Sequence, residues 1–233
     1  MKRSKKRQAL NDLKQRSLIT HNNPKSPISE QFRTIRTNID FSLADRDIRT
    51  LAITSSGPAE GKSTITANLA VVMAQQGKRV LLVDADLRKP TVHYTFRMNN
   101  TTGLTNLLTK QMKVSEVIHK TDVENLYVLP SGPIPPNPAE LLGSRNMYDT
   151  LQELNTVFDM VIFDTPPVLA VTDAQVLATI CDGTLLVISS GSTEIDAAKE
   201  AKALLEKSKA RLLGAVLNRK PTKRNNYYYY YGG

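Results

Sequence analysis

The sequence predicts an α/β fold of three layers, with a mostly parallel central sheet and helices on both faces. Short apolar runs alternate with segments of helical period, the pattern of repeated strand–helix units. Several of the strand segments, such as 79–84 and 160–164, carry continuous apolar runs (80–83 and 160–163) rather than alternating ones, which marks strands buried on both faces. The first strand runs into a glycine- and lysine-bearing loop at the start of a helix, where an open α/β sheet binds phosphate.

The elements follow in order. Residues 1–26 are basic, polar and proline-punctuated, so they read as a flexible leader. Lys2, Arg3, Lys5, Lys6, Arg7, Lys14 and Arg16 face one acid, Asp12. Such a segment is either a solvated end or a tether to an anionic membrane surface, worth roughly 1 kcal/mol per basic residue there. It lacks the basic and aromatic platform that single-stranded nucleic acid needs, so no nucleic acid is expected. A helix is expected over 29–43, N-capped by Ser29, with Ile28, Phe32, Ile35 and Ile39 on its apolar stripe. Glu30, Arg33 and Arg36 share a second stripe, read as a solvated ion pair or a subunit contact.

Strands are expected at 50–54, 79–84, 126–129, 160–164, 183–189 and 212–218. Helices are expected at 62–76, 105–109, 145–154, 173–180 and 194–209. The run 131–138 carries four prolines and reads as a surface loop. From Arg219 the chain turns basic and ends in Tyr227, Tyr228, Tyr229, Tyr230 and Tyr231, followed by two glycines. This gives three regions: a leader at 1–26, one folded domain at 27–218 and an exposed tail at 219–233.

Composition excludes several classes. A length of 233 residues suits one domain with a real core. No apolar run approaches the ~20 residues of a membrane span, and the N-terminus is no secretory signal. Cys181 is alone, so no disulfide framework forms and a cytoplasmic setting is expected. His21, His93 and His119 lack zinc-ligand spacing.

The chemistry begins in the loop Ser56-Gly57-Pro58-Ala59-Glu60-Gly61-Lys62-Ser63-Thr64. Backbone N–H groups there point at an anion, Lys62 adds a positive charge, and the Ser63 or Thr64 hydroxyl suits Mg²⁺. The first glycine of the strict pattern is Ser56 here, and Gly57 comes one residue later. The strand 160–164 ends in Asp164, a position that holds Mg²⁺. The strand 79–84 ends in Asp84, with Asp86 two residues on. A tyrosine hydroxyl has a pKa near ~10, so its phosphorylation benefits from a carboxylate that takes the proton. Asp84 or Asp86 suits that role, and the other serves the metal.

The loop, the segment Leu82-Val83-Asp84-Ala85-Asp86-Leu87-Arg88-Lys89-Pro90, the strand ending Phe163-Asp164-Thr165-Pro166-Pro167 and the tyrosine tail together resemble the bacterial tyrosine kinases of the capsule and exopolysaccharide type. The resemblance runs from about Ser29 to the end of the chain. It implies a P-loop NTPase fold, ATP and Mg²⁺ as cofactors, and phosphorylation of the protein's own tail. It implies Asp84 as the base, Lys62, Asp86 and Asp164 as further catalytic residues, and Ser63, Asp86 and Asp164 around the metal. It implies that residues 57–64 and Asn218 bind the nucleotide, Asn218 at the adenine. It implies that Glu30, Arg33 and Arg36 form an oligomerisation stripe, that subunits form a ring, and that one subunit's tail enters a neighbour's site. It further implies protein substrates phosphorylated on tyrosine and a separate membrane adaptor of polysaccharide chain-length control. That adaptor would recruit the protein to the inner face of the cell membrane. A partition or division-site ATPase is the competing reading, but the extra early lysine of those loops is missing: positions 56 and 57 are Ser and Gly.

The tail has the reach for this. About a dozen residues beyond Asn218, at ~3.3–3.6 Å each, extend roughly 40 Å.

Overall fold

The computed structural model describes residues 17–42 and 48–221. The tyrosine cluster at 227–231 and the basic residues 2–16 lie outside the described residues. Among the described residues seven strands form one sheet: β1 (Thr50–Ser55), β2 (Val80–Asp84), β3 (His119–Lys120), β4 (Leu126–Leu129), β5 (Met160–Asp164), β6 (Gly183–Ser189) and β7 (Leu212–Asn218). Their order is β3-β4-β2-β5-β1-β6-β7. Every pairing is parallel except β3 with β4.

This order places the chemistry. β5 lies between β1 and β2, with Ile53 paired to Asp164 and Asp164 to Asp84. The phosphate loop after β1 and both acidic strand ends therefore meet at the carboxyl edge of three adjacent strands, the usual ligand edge of such a sheet.

Strand alternation divides the core between two faces. Leu81, Val83, Val161 and Phe163 point to one cluster, and Val80, Leu82, Met160 and Ile162 to the other. The first face is covered by α5 (Leu104–Leu108), α8 (Arg145–Val157), α9 (Asp173–Ala178) and α10 (Ile195–Lys207). The second carries α2 (Pro27–Phe41), α3 (Lys62–Ala74) and α4 (Val92–Thr95). Helix α3 is buried around nearly its whole circumference, sandwiched between the sheet and the N-terminal segments.

The structure moves one boundary. Residues 17–26, expected in the leader, are folded. A short helix α1 (Ile19–Asn22) docks on α3 because Asn68 holds it. The Asn68 Oδ1 accepts from Thr20 N at 3.0 Å and Thr20 Oγ1 at 2.9 Å, and its Nδ2 donates to Ser17 O and Thr64 O. Polar residues hide this contact in the sequence, because satisfied side-chain amides leave no hydrophobic period. Helix α2 begins three residues earlier than a cap at Ser29 would set it. Ser26, not Ser29, is the cap, its Oγ accepting Ser29 N at 3.1 Å with Pro27 in the first turn. Phe32 and Ile39 are buried as expected, whereas Ile28 in that first turn is 48% exposed.

Three further short helices, α6 (Val114–Val117), α7 (Pro138–Leu142) and α4, are additions to the expected set. A single turn carries too little period to be read from sequence. The proline-rich run is only partly a surface loop. Ser131 and Gly132 are buried against Gly103, where a Cβ would meet Pro130 O at 2.1 Å.

Candidate active site

The phosphate loop is braced from three sides. Glu60 Oε2 accepts Ser56 N at 2.9 Å, Ser55 Oγ donates to Gly57 O at 2.8 Å, and Asn218 Nδ2 donates to Glu60 O at 2.8 Å. The other oxygen of Glu60 accepts from the Thr193 hydroxyl on the loop after β6. Pro58 and Ala59 are exposed at the tip. Gly61 turns the chain into α3 at φ 88°, a left-handed conformation that favours glycine. A Cβ there would lie 2.2 Å from Asn218 Nδ2. Gly61→Ala is therefore expected to displace Asn218 and weaken ATP affinity on the order of tenfold, with a loss of about 1 kcal/mol in stability from backbone strain. Isothermal titration and thermal melting check this; wild-type affinity would contradict it.

Lys62 is nearly buried and reaches across to the strand ends. Its Nζ lies 2.7 Å from Asp164 Oδ1, 3.3 Å from Ser63 Oγ and 4.0 Å from Asp86 Oδ2. Thr66, one turn further along α3, donates to the same Asp164 oxygen at 3.1 Å. Asp164 is wholly buried, and its Oδ2 has no hydrogen-bond partner among the described residues.

Asp84 is also wholly buried and caged by backbone. Its Oδ2 accepts Thr91 N at 3.0 Å and Val92 N at 2.9 Å, and its Oδ1 accepts Asp86 N at 3.3 Å. Burial pushes its carboxyl up to about 7, and the charge of Asp164 adds to the rise against the pull of Val92 N–H and Lys62. Asp86 is the more open of the pair; burial raises its pKa too, while Lys62 opposes the rise. Thr91 donates its hydroxyl to Ser63 Oγ at 3.1 Å, joining the second acidic segment to the start of α3.

These groups fit a nucleotide-bound Mg²⁺. Mg²⁺ is held by one or two carboxylates, and phosphate, water and hydroxyl oxygens fill the remaining positions. Ser63 Oγ, Asp86 and the unpartnered oxygen of Asp164 supply such a partial set. Among the described residues no cluster of three or more His, Cys, Asp or Glu could hold a metal alone.

The structure thus brings together Lys62, Ser63, Asp84, Asp86, Asp164 and Asn218. It adds Thr66, Thr91, Thr193 and Asp173, which sequence reasoning missed because each acts across a long sequence separation, and it gives contacts to Arg88 and Thr165, which stand inside the quoted motifs without a role. Of the missed residues Thr66 leaves a trace in the sequence, at one helical turn from Lys62. The stripe on α2 is divided. Arg33 pairs with exposed Glu30 and donates to Pro24 O at 2.7 Å, whereas Arg36 turns inward and donates to Val72 O at 2.8 Å. Among the described residues no helix is long and apolar enough to cross a membrane.

A braced phosphate loop whose lysine touches the carboxylate ending the neighbouring strand defines a P-loop nucleotide-binding α/β protein. The AAA-domain family matches residues 48–209. Tyrosine-protein kinase YwqD of Bacillus subtilis is 56% identical over 206 residues, covering 88% of this chain and 87% of that protein. The crystal structure of the chimerical protein CapA2B2 is 48% identical with a TM-score of 0.86, covering 88% of this chain and 90% of that one. The kinase domain of the Escherichia coli tyrosine kinase ETK is 33% identical with a TM-score of 0.82, over 88% and 82% of the two chains. The chain belongs to this bacterial tyrosine-kinase family and is a protein-tyrosine kinase.

Proposed function

We propose that this kinase transfers the γ-phosphoryl group of ATP to its own C-terminal tyrosines, Tyr227–Tyr231, between subunits of a ring, and so regulates capsular or exopolysaccharide synthesis and export. The observation that carries the reading is the exit of the chain. Asn218, the last residue of β7, hydrogen-bonds the phosphate loop itself, so the tail departs from the rim of the site. A reach of roughly 40 Å is long enough for its own site or a neighbour's.

In this reading residues 57–64 cradle the phosphates and Asn218 lies at the adenine. Lys62 exchanges Asp164 for the β- and γ-phosphates. Ser63, Asp86 and Asp164 hold Mg²⁺, which when bound neutralises charge on the transferring group. Asp84, with a pKa near neutrality, takes the tyrosine proton. Glu30 and Arg33 present the exposed part of the oligomerisation stripe, and Arg36 fixes α2 to α3. Other proteins are phosphorylated on tyrosine as well. A separate membrane adaptor of chain-length control activates the chain and recruits it to the inner face of the membrane, where the basic leader adds attraction to anionic lipid.

The test mixes two chains and reads phosphate by tandem mass spectrometry. One is catalytically intact with Tyr227–Tyr231 replaced by Phe; the other carries Lys62→Met with its tail intact. Phosphate on the tail of the Lys62→Met chain is expected. An unphosphorylated tail in the mixture, beside a phosphorylated wild-type control, would refute transfer between subunits. Each phosphotyrosine adds about −1.5 to −2 charges, so a fully phosphorylated sample is expected to scatter light as a smaller particle.

A further inference from the structure

We infer that Arg88, through an ion pair with Asp173, is a positioning residue that fixes the segment carrying Asp84 and Asp86 against the segment that follows Asp164. Arg88 Nε donates to Asp173 Oδ2 at 2.9 Å and Nη2 donates to Asp173 Oδ1 at 3.0 Å. Two parallel bonds hold both distance and orientation, which a single contact does not. The Asp173 side chain is wholly buried, whereas that of Arg88 stays 40% exposed.

What the pair joins gives it a role. Arg88 lies in the middle of the turn 86–92. That turn supplies the N–H groups that hold the two carboxylates: Lys89 N to Asp86 Oδ1 at 3.0 Å, and Thr91 N and Val92 N to Asp84 Oδ2. Asp173 opens α9, and the stretch before it is tied to β1. Thr165 Oγ1 donates to Ile53 O at 3.0 Å and Val168 N to Ser55 O at 2.9 Å. The turn therefore leans on a fixed frame through Arg88. Released, it moves as a unit and carries both carboxylates with it. Phosphoryl transfer depends on the base and the metal ligands keeping register, and a shift near 1 Å costs on the order of a hundredfold in rate.

A generic structural role is the competing account, since a buried carboxylate left without its cation destabilises a fold. The variants separate the two. Arg88→Met leaves Asp173 charged and buried. Arg88→Met with Asp173→Asn removes both charges at nearly constant volume, so it is expected to fold. Phosphotyrosine formation and ATP titration are measured on the full chain beside thermal melting.

The expected result is a turnover loss of roughly tenfold to a hundredfold in both variants, with KM for ATP within about threefold of wild type. The double variant regains much of the melting temperature but little of the turnover, and Arg88→Lys recovers part of it. Turnover that returns with stability in the double variant would overturn the proposal and leave the pair a fold-holding bridge. The inference rests on Asp84, Asp86 and Asp164 being the working carboxylates. Asp84→Asn in the same assay tests that separately: an active Asp84→Asn enzyme removes that reading. An inactive one beside fully active Arg88 variants removes only the positioning role.

Discussion

Lys62→Met is expected to abolish tail phosphorylation, with phosphotyrosine reduced by at least about 10²–10³-fold. Among the described residues Lys62 is the one cation bonded to Asp164, at 2.7 Å, and it stands 4.0 Å from Asp86. In the proposed mechanism the same ammonium would move onto the phosphates, balancing carboxylate charge before ATP arrives and phosphoryl charge afterwards. Methionine fills the space without the charge. Asp164, buried and stripped of its cation, then repels Asp84 and Asp86 more strongly. The variant is therefore also expected to melt earlier than wild type, by an amount that shrinks as pH falls through about 7 and Asp84 takes up its proton. Mass spectrometry of the tail and melting at pH 6 and pH 8 check both parts. Near-normal phosphotyrosine from a folded Lys62→Met chain would remove the lysine from the mechanism.

Asp84→Asn is expected to lose activity and gain stability. As the proposed base, Asp84 contributes about 10²–10⁴-fold to the rate, and the amide cannot take a proton. Stability moves the other way. The folded carboxyl sits at about 7, above its ordinary 3.8. The folded state therefore holds the proton more tightly than the unfolded chain does. The benefit of that proton is complete below about pH 4 and is lost as pH rises through about 7. At pH 8 the wild type keeps a buried charge that asparagine lacks. Every tenfold difference in proton affinity between the folded and unfolded chain is worth about 1.4 kcal/mol. The variant is therefore expected to gain up to a few kcal/mol at pH 8 and much less at pH 5. Melting at the two pH values reads this directly. A variant less stable than wild type at pH 8 would show that the backbone cage, rather than the charge, governs the site. Asp86→Asn is expected to differ, with a raised Mg²⁺ requirement.

The carboxylates and their surroundings are legible in the sequence to different degrees. Asp84, Asp86 and Asp164 stand out because each ends or follows a continuously apolar run, where a charge has few structural reasons to be. The inner strands are readable for the same reason, since burial on two faces erases polar residues over the length of a strand, whereas the long helices show in the period of their apolar residues. β3 escapes, being two residues long at the sheet's edge. The docked arm at 17–26 escapes as well, because its main anchor is the set of hydrogen bonds to Asn68, and the two adjacent apolar residues that pack beside it, Leu18 and Ile19, are too few to show a period. Ser29 reads as the cap of α2 in place of Ser26, although the proline after Ser26 marks the true first turn.

By itself the sequence determined the fold class, the phosphate loop and the residue types of the chemistry. Those features are local: a strand's burial, a loop's glycine and a lysine at a helix start are written in consecutive residues. Tertiary structure decided how they combine. The strand order sets β5 between β1 and β2, and only that order puts Lys62 on Asp164 and Asp164 beside Asp84. It also decided that Asp84 is caged and raised toward neutrality while Asp86 stays more open, that Asn218 braces the loop, and that Arg36 faces inward. The physical reason is range. Burial, charge proximity and bond geometry between residues far apart along the chain depend on the packed sheet, and no stretch of consecutive residues contains them.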